Sequence, residues 1–235
     1  MVMYMTTTPA PRTSASTSGG SGLRVDAERN RQRIIATARE VFAEHGLDVP
    51  MEDIARQAGV GVGTLYRRYP TRADLIAAAF EPKMTAYAQA ARDALADPDP
   101  WHGFCGYVER ICAMQAGDRG FTTVLTMTFP TAKQFEADRD RAFADFTTLV
   151  DRAKAAGKLR ADFVTEDMPM FLMANAGVLT ATADAAPHAW RRLVGYLLQA
   201  CAAPAAKPLP DPPAARQMYK AMLRTTRDQR GRPPK

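Results

Sequence analysis

The stretch from residue 54 to residue 75 constrains the fold of this chain more than any other part of its sequence. Two short segments with helical spacing of apolar residues lie on either side of Gly59, and the second carries the basic pair Arg67 and Arg68. Glycine is the usual residue where a helix ends in a left-handed turn. The spacing therefore predicts two short helices joined by a tight turn, the arrangement that places one helix in a DNA major groove.

The second of these helices has one face that suits a protein core and another that suits DNA. Leu65 and Tyr69 are four residues apart, so they share a face of the helix, and we assign that face to the core. The other positions are small, hydroxylated or cationic, and such residues allow contact with phosphate oxygens or a guanine edge. This outward set consists of Gly63, Thr64, Tyr66, Arg67 and Arg68.

The whole pattern resembles the DNA-binding domain of the TetR family of bacterial transcriptional regulators. The resemblance covers roughly residues 29–80 and is carried by Ile34, Ile35, Ala38, Phe42, Gly46, Ile54, Ala55, Ala58, Gly59, Val60, Gly63, Thr64, Leu65, Tyr66, Tyr69, Arg72 and Leu75. The family usually has Ser or Thr where Gly61 stands, and glycine has no side chain with which to cap a helix. The resemblance implies that DNA is touched by Val62, Gly63, Thr64, Tyr66, Arg67, Arg68 and Arg72.

The chain beyond this motif is also predicted to be helical, so the expected fold class is all-α. The apolar segment 121–129 has no partner strand and is assigned to a short helix. Pro82 lies within the predicted fourth helix, where its ring should kink or break that helix. A long helix is predicted at 132–156, with its inward positions at Phe135, Phe143, Phe146, Leu149 and Val150.

Shifts in composition divide the chain into four parts. The first residues are rich in Ser, Thr, Pro and Gly and should be disordered, and the first folded helix should begin at Asp26. The predicted parts are a disordered N-terminal tail at 1–25, a three-helix helix-turn-helix DNA-binding domain at 26–81, a helical ligand-binding and dimerisation domain at 82–203, and a Pro-rich linker with a basic tail at 204–235.

All of the net charge lies in the last of these parts. The chain has 31 Lys and Arg and 25 Asp and Glu, a formal net charge of +6, and residues 204–235 hold eight of the basic and two of the acidic residues. We expect this tail to lie outside the main fold and to contact phosphates without regard to sequence. The run Arg230, Gly231, Arg232 and Pro233 resembles the core of an AT-hook for A·T minor grooves, and a generic basic tail is the alternative.

The second domain is expected to hold a small-molecule effector and the homodimer interface. The TetR resemblance implies both functions, with dimerisation through the last two helices, which are predicted at 165–184 and 187–203. Aromatic and Met side chains suit an adaptable pocket between helices, although packing alone explains each of them singly. The candidate pocket residues are Trp101, Phe104, Tyr107, Met114, Phe121, Met127, Phe146, Phe171 and the polar candidate Asn175.

Several classes of protein are disfavoured by the composition. No run of about 18 apolar residues predicts a membrane span, and the first residues lack the apolar region of a secretory signal. The three cysteines, Cys105, Cys112 and Cys201, are an odd number, which favours reduced thiols. We expect a cytoplasmic bacterial protein that is associated with the nucleoid when bound to DNA, with no cofactor and no metal.

The predicted function is a dimeric, ligand-responsive transcriptional regulator that binds double-stranded operator DNA. Repression follows from the family resemblance and from simple occlusion of a promoter. One alternative is an architectural DNA-binding protein that uses the basic tail more than the helix-turn-helix. Another is an all-helical enzyme, for which the sequence offers only Asp99 and His102 at a spacing that permits a metal, with Cys105 three residues further on.

Overall fold

The computed structural model describes residues 19–204 except 126, 128 and 130, and residues 207–221 except 219. These residues form nine α-helices and no strand, which confirms the all-α fold class. The helices are α1 (Gly19–His45), α2 (Met51–Gln57), α3 (Val62–Arg68), α4 (Arg72–Leu95), α5 (Pro100–Ala116), α6 (Arg119–Leu125), α7 (Lys133–Ala155), α8 (Asp167–Thr182) and α9 (Ala189–Cys201).

The first helix begins earlier than the sequence predicts. The expected start is Asp26, whereas α1 begins at Gly19, so residues 19–25 are helical and do not belong to a disordered tail. Propagation adds one hydrogen bond for each residue fixed, so α1 extends through Gly19, Gly20 and Gly22 although glycine disfavours a helix by about 1 kcal/mol per residue. The remainder of the predicted tail, residues 1–18, lies outside the described residues.

Helices α1, α2 and α3 pack around one apolar core. Phe42, Ile54 and Leu65 are fully buried in it, each from a different helix. Gly59, between α2 and α3, has a φ of +61°, and the N–H of Val60 donates to the carbonyl of Ala55 at 3.0 Å. This is the left-handed helix end that the sequence predicts, and it turns the chain into α3.

Helix α4 leads from the DNA-binding domain into the bundle and runs through Pro82 without a break. Its start has a capping box, in which the N–H of Asp74 donates to Thr71 Oγ1 at 3.1 Å and the N–H of Thr71 donates to Asp74 Oδ2 at 3.0 Å. Pro82 supplies no N–H to the preceding turn, and in that turn the Ala79 carbonyl accepts from Nε of Arg39 at 2.6 Å. A break at Pro82 is therefore wrong, and the turn before it is tied to α1.

Three phenylalanine rings connect α1, α4 and α6. Phe80 of α4 stacks on Phe42 of α1 and on Phe121 of α6, with 6.3 Å between the ring centroids in each pair. Gly120 lies against the Phe80 ring, and a Cβ atom at this position would come within 2.8 Å of Phe80 Cζ. The DNA-binding domain and the bundle therefore share one continuous hydrophobic core.

The bundle is built on α4, which packs along α7 and α5, while α8 packs against α9. The inner face of α7 is as predicted at Phe135, Phe146, Leu149 and Val150. The prediction is wrong at Phe143, which is 55% exposed. Its neighbour Ala142 is fully buried, and successive residues of a helix point about 100° apart, so Phe143 is turned toward solvent.

Residues 207–209 are fastened to the body, in contrast to the prediction that the whole of 204–235 lies outside the main fold. Arg160, in the connection between α7 and α8, donates to the carbonyl of Lys207 at 2.9 Å and to that of Ala200 at 3.1 Å. Asp162 binds Arg160 at 2.5 Å and accepts from the N–H of Leu209 at 2.9 Å. The Arg160 guanidinium holds the pKa of the Asp162 carboxyl well below its ordinary value.

This attachment lies at the end of the bundle remote from α3. Arg152, near the end of α7, donates to the carbonyl of Leu95 at the end of α4, whereas α4 begins soon after α3. Because α4 has 24 residues, it spans about 36 Å, and the attachment lies near the end of α4 that is remote from α3. Residues 215–218 of the predicted basic tail form a helical turn, and residues beyond 221 lie outside the described part of the chain.

Candidate DNA interface and effector region

Helix α3 presents the predicted DNA-contacting residues on one exposed surface. Leu65 is fully buried and Tyr69 is 7% exposed, so the core side of this segment is the one that the sequence predicts. Val62 and Tyr66 are 41% and 39% exposed. Gly61 precedes the helix and makes no side-chain cap. We call the outward side the recognition surface, and it consists of Val62, Gly63, Thr64, Tyr66, Arg67 and Arg68.

Two of the predicted phosphate contacts are bound to carboxylates. Tyr66 Oη donates to Glu52 Oε1 at 2.9 Å, and Arg72 Nη1 lies 3.1 Å from Asp48 Oδ1. The hydrogen bond to Glu52 raises the pKa of Tyr66 above its ordinary value, so the hydroxyl keeps its proton and can donate. An arriving phosphate would have to share these two donors with the carboxylates or displace them.

Arg67 and Arg68 are the cations of the recognition surface that are open to DNA. Both are exposed, and neither forms a salt bridge with another described residue. A guanidinium is permanently charged and offers a planar fork of donors, so it can bind phosphate or pair with the O6 and N7 atoms of guanine. These two side chains therefore carry the strongest potential for contact with DNA.

The sequence did not indicate that Asp48 and Glu52 bind residues of the predicted DNA interface. The only signal for Glu52 was its place in the first turn of α2, where a carboxylate favours the helix dipole. Its contact with Tyr66 joins residues 14 apart, and the contact of Asp48 with Arg72 joins residues 24 apart. No helical period relates residues at such separations, so these neighbours emerge only from the packing of α2 against α3 and from the contact between the α1–α2 connection and the start of α4.

Five of the nine candidate pocket residues belong to one packed aromatic cluster. These are Trp101, Phe104, Tyr107, Phe146 and Phe171. Phe163, which the sequence did not single out, completes the cluster, with its ring perpendicular to Phe104 at 5.3 Å and 6.1 Å from Phe171. The rings pack against one another as in a hydrophobic core. That they line a ligand pocket stays a prediction.

Asn175 is fully buried and forms a pair with Gln115, which we call the amide pair. Asn175 Nδ2 donates to Gln115 Oε1 at 2.8 Å and to the carbonyl of Cys112 at 3.2 Å. Gln115 Nε2 donates to the carbonyl of Leu172 at 3.3 Å. Asn175 Oδ1 has no hydrogen-bond partner among the described residues. A buried polar atom without a partner costs about 1–3 kcal/mol, so the amide pair is a place where a polar group of a ligand would be stabilised.

Comparison with known proteins assigns the chain to a family. The family model of the bacterial regulatory proteins of the tetR family matches residues 34–79, which contain α2, α3, the last part of α1 and the start of α4. The chain belongs to the TetR family of transcriptional regulators. A TetR transcriptional regulator from Streptomyces coelicolor is 31% identical, and the match covers 74% of this chain and 99% of that one, with a TM-score of 0.46.

Of two further comparisons, one matches mainly the DNA-binding domain and the other matches most of the fold. An HTH-type transcriptional regulator of Staphylococcus aureus is 44% identical over 54 residues, which are 23% of this chain. The chain spans 29% of the length of the curated relatives that it matches in this way. The regulator FadR from Bacillus subtilis, solved in complex with stearoyl-CoA, is 16% identical with a TM-score of 0.56, and the match covers 72% of this chain and 96% of FadR. That likeness shows a shared fold alone.

The other candidate pocket residues of this TetR regulator have different surroundings. Phe121 belongs to the ring stack with Phe80, and Met114 is partly buried against the core. Met127 borders a cavity of about 550 Å³ next to the DNA-binding domain, where Glu52 and Tyr66 are also part of the wall. That the nine candidates line one ligand site stays a prediction.

Asp99, one of the residues that suggested an enzyme, has a structural role in this TetR chain. Asp99 caps α5 by accepting from the N–H of Trp101 at 2.9 Å. Burial raises the pKa of Cys105 to about 11 and that of Cys112 to about 12, so both are protonated thiols of low reactivity at neutral pH. Among the described residues, no group of three His, Cys, Asp or Glu is arranged to hold a metal ion.

No helix in the described part of the chain has the length and apolar character needed to cross a membrane.

Proposed function

We propose that this TetR-family protein is a repressor that binds a palindromic operator as a homodimer and is released by a small-molecule effector. The observation that carries the proposal is the recognition surface of α3, where Arg67 and Arg68 are exposed on a helix whose other side is buried core. Such a helix fits a major groove, and two copies related by a twofold axis would reach successive grooves about 34–36 Å apart. A dimer seated on a promoter represses by occlusion.

Nuclease footprinting of the full chain on genomic fragments that it selects tests this function. A dimeric regulator should protect one short palindrome of about two helical turns. Protection that instead spreads along the DNA as the protein concentration rises would favour the architectural alternative, in which the basic tail supplies most of the affinity.

Helix α8 supports the proposed dimer. It contains no charged residue after Asp167, yet Met170 is 37% exposed. Ala174, Gly177 and Ala181 are exposed along the same side of the helix. A helix that is apolar on its solvent side normally packs against a further surface, and a twofold dimer brings identical surfaces together. We call Met170, Ala174, Gly177 and Ala181 the dimer face.

Variants of the recognition surface should affect either the preference for a base or the affinity for all DNA. Arg67→Ala should relax preference at one base position in each half-site, at a cost of about 1–3 kcal/mol, because a base contact is lost. Tyr66→Phe and Arg72→Ala should weaken binding to all DNA alike, because they remove phosphate contacts that carry no sequence information. The measurement is binding of each variant to operators changed one base pair at a time.

These variants also serve as controls for one another. If Arg67→Ala lowers affinity for every operator variant by the same factor, Arg67 contacts phosphate and the assignment of base reading to it is wrong. If Tyr66→Phe changes preference at one base position only, Tyr66 contacts a base and its assignment to phosphate is wrong.

The turn before Pro82 is proposed as the place where effector binding reaches the DNA-binding domain. An effector releases DNA only if it binds the DNA-incompetent state more tightly. Pro82→Ala should restore a helical hydrogen bond and stabilise the fold, by up to about 3 kcal/mol, while the concentration of effector needed for release changes. The measurement is operator release across an effector titration, once an effector is known. Thermal unfolding checks the fold, and an unchanged release curve would exclude this turn as the hinge.

The basic tail should add phosphate contacts without changing operator preference. Because Arg160 and Asp162 fasten residues 207–209 to the body, the informative truncation ends at Ala221 and keeps that attachment. It removes Arg224, Arg227, Arg230, Arg232 and Lys235. Each lost phosphate contact lowers the log–log salt slope by about 0.9, so we expect the slope to fall by about two to four.

A salt series with the full and the truncated chain measures this effect. An equal slope for the two proteins would mean that the tail, which leaves the body at the end remote from α3, does not reach the operator DNA. A selective loss of affinity for sites with A·T-rich flanks would favour minor-groove binding by Arg230 and Arg232 over a generic basic tail.

A further inference from the structure

A cavity of about 670 Å³ lies between α1, α6 and α8, outside the aromatic cluster that the sequence singled out. Its walls include Phe42 of α1, Thr122 of α6 and Met173 of α8. We propose that this cavity binds the effector, and that the effector is an uncharged, largely apolar molecule with a hydroxyl group. The inference rests on the proposed effector-released function and specifies the chemical class of its ligand.

The size and lining of the cavity fit an apolar molecule. Sites for small ligands typically have about 300–1,000 Å³ and mostly apolar walls with a few polar groups. Leu172, Met173 and Leu179 form the apolar wall on α8, and Thr122 on α6 adds a hydroxyl. Glu44 is the only charged residue among the described lining residues, and its side chain is 76% exposed. An anionic ligand would therefore lose its hydration without gaining a cation as a partner.

The amide pair explains why the ligand should carry a hydroxyl group. Gln115 lines the cavity, and it is hydrogen-bonded to Asn175, whose Oδ1 is fully buried without a partner among the described residues. A hydroxyl group both donates and accepts, so from the cavity it can bond to the Gln115 amide in either orientation of that amide. The unpaired Asn175 Oδ1 leaves the amide pair one hydrogen bond short among the described residues.

A second copy of the chain would border this cavity without filling it. Gly177 and Ala181 belong both to the dimer face and to the cavity wall, whereas Met173 and Thr180 line the cavity only. On a helix with 3.6 residues per turn, Met173 and Thr180 lie on the side adjacent to the dimer face. Partner contact at the dimer face would close the mouth of the cavity, which favours retention of a small molecule.

The cavity touches the ring stack that joins the DNA-binding domain to the bundle. Phe42 and Gly120 both line it. Phe42 stacks on Phe80, and Gly120 has no room for a Cβ atom beside that same ring. An occupant wedged between α1 and α8 would therefore press on the core that positions α1. Movement of α1 changes the separation of the two recognition helices, which is the quantity that operator binding depends on.

Matched ligands and matched variants test the ligand class by calorimetry on the full chain without DNA. The probes are 1-octanol and octanoate, which share a chain length and differ in charge. We expect octanol to bind at least about tenfold more tightly than octanoate, since an unpaired carboxylate pays the larger desolvation cost. Ala43→Trp places a large ring in the cavity wall and should lower octanol affinity by about tenfold or more, as overpacking excludes the ligand.

Ala36→Trp is the control, because Ala36 is also an exposed alanine of α1 but does not line the cavity. Its octanol affinity should equal that of the unaltered chain. Gln115→Leu should weaken octanol by about five- to twentyfold through loss of one hydrogen bond, with little effect on octanoate, and thermal unfolding monitors its fold.

Three results would overturn the proposal: no binding of octanol, octanoate binding as tightly as octanol, or equal octanol affinity in Ala43→Trp and Ala36→Trp. Release of operator DNA is measured separately by fluorescence anisotropy. Octanol that binds with the expected variant pattern but never releases DNA would contradict the effector-released function and leave the ligand class of the cavity standing.

Discussion

Met170→Glu should separate the proposed dimer and lower operator affinity by about a hundredfold or more, because linkage of two binding modules typically contributes 10²–10⁴. Met170 is 37% exposed on a side of α8 that carries no charge. A carboxylate pressed into a dry contact between two such helices would be desolvated without a partner, which costs several kcal/mol. The chain itself should still fold, since this position faces outward from the bundle.

Sedimentation velocity gives the mass of the particle, and fluorescence anisotropy gives the affinity for the operator. The control is Phe143→Glu, which places the same charge on an apolar side chain that is 55% exposed on α7. The control should stay dimeric with unchanged affinity. If Met170→Glu remains a dimer while Phe143→Glu dissociates, the interface lies on α7 and the assignment to α8 is wrong.

Gly103→Ala should destabilise the fold by about 1–3 kcal/mol or more, the usual range for overpacking a core. Gly103 is buried in the first turns of α5, where its backbone approaches the end of α4. A Cβ atom there would collide with the carbonyl oxygen of Ala94 and lie 3.1 Å from Cβ of Asp97. The carbonyl belongs to the backbone of α4, so relief requires the two helices to move apart.

Gly106→Ala on the same helix is the control for this substitution. A Cβ atom at Gly106 would meet nothing within 4 Å, so the replacement should stabilise the protein by up to about 1 kcal/mol through helix propensity. Thermal or denaturant unfolding of the two variants gives the comparison. Equal stabilities of the two variants would mean that α4 and α5 are not in close contact at Gly103 in solution.

The features that the sequence predicted correctly depend on contacts between residues close together in the chain. The left-handed turn at Gly59 and the inward pair Leu65 and Tyr69 are each readable within a window of a few residues. Helical period and terminal capping set such features before any tertiary contact forms. The same local signals supported the recognition surface, although contact with DNA itself stays a prediction.

The errors share a different cause. Phe143 was assigned to the core because it is aromatic, but only the packing of α7 against α4 and α5 decides which of two adjacent residues faces inward. The Pro-rich segment has the composition of a free linker, yet Arg160 and Asp162 hold it through bonds between residues 47 apart in the sequence. A polar side chain can bond to a backbone group that is distant in the sequence, and composition alone does not predict such an attachment.

The sequence by itself determined the helical class, the helix-turn-helix and the basic character of the C-terminal tail, because periodicity, capping and charge are properties of neighbouring residues. Only the tertiary structure decided that Tyr66 and Arg72 are bound to carboxylates, that the aromatic candidates pack into a core, and that a separate cavity lies between α1, α6 and α8. These arrangements arise where helices far apart in the chain meet. Their relative positions follow from how side chains from several helices interlock, which no single segment specifies.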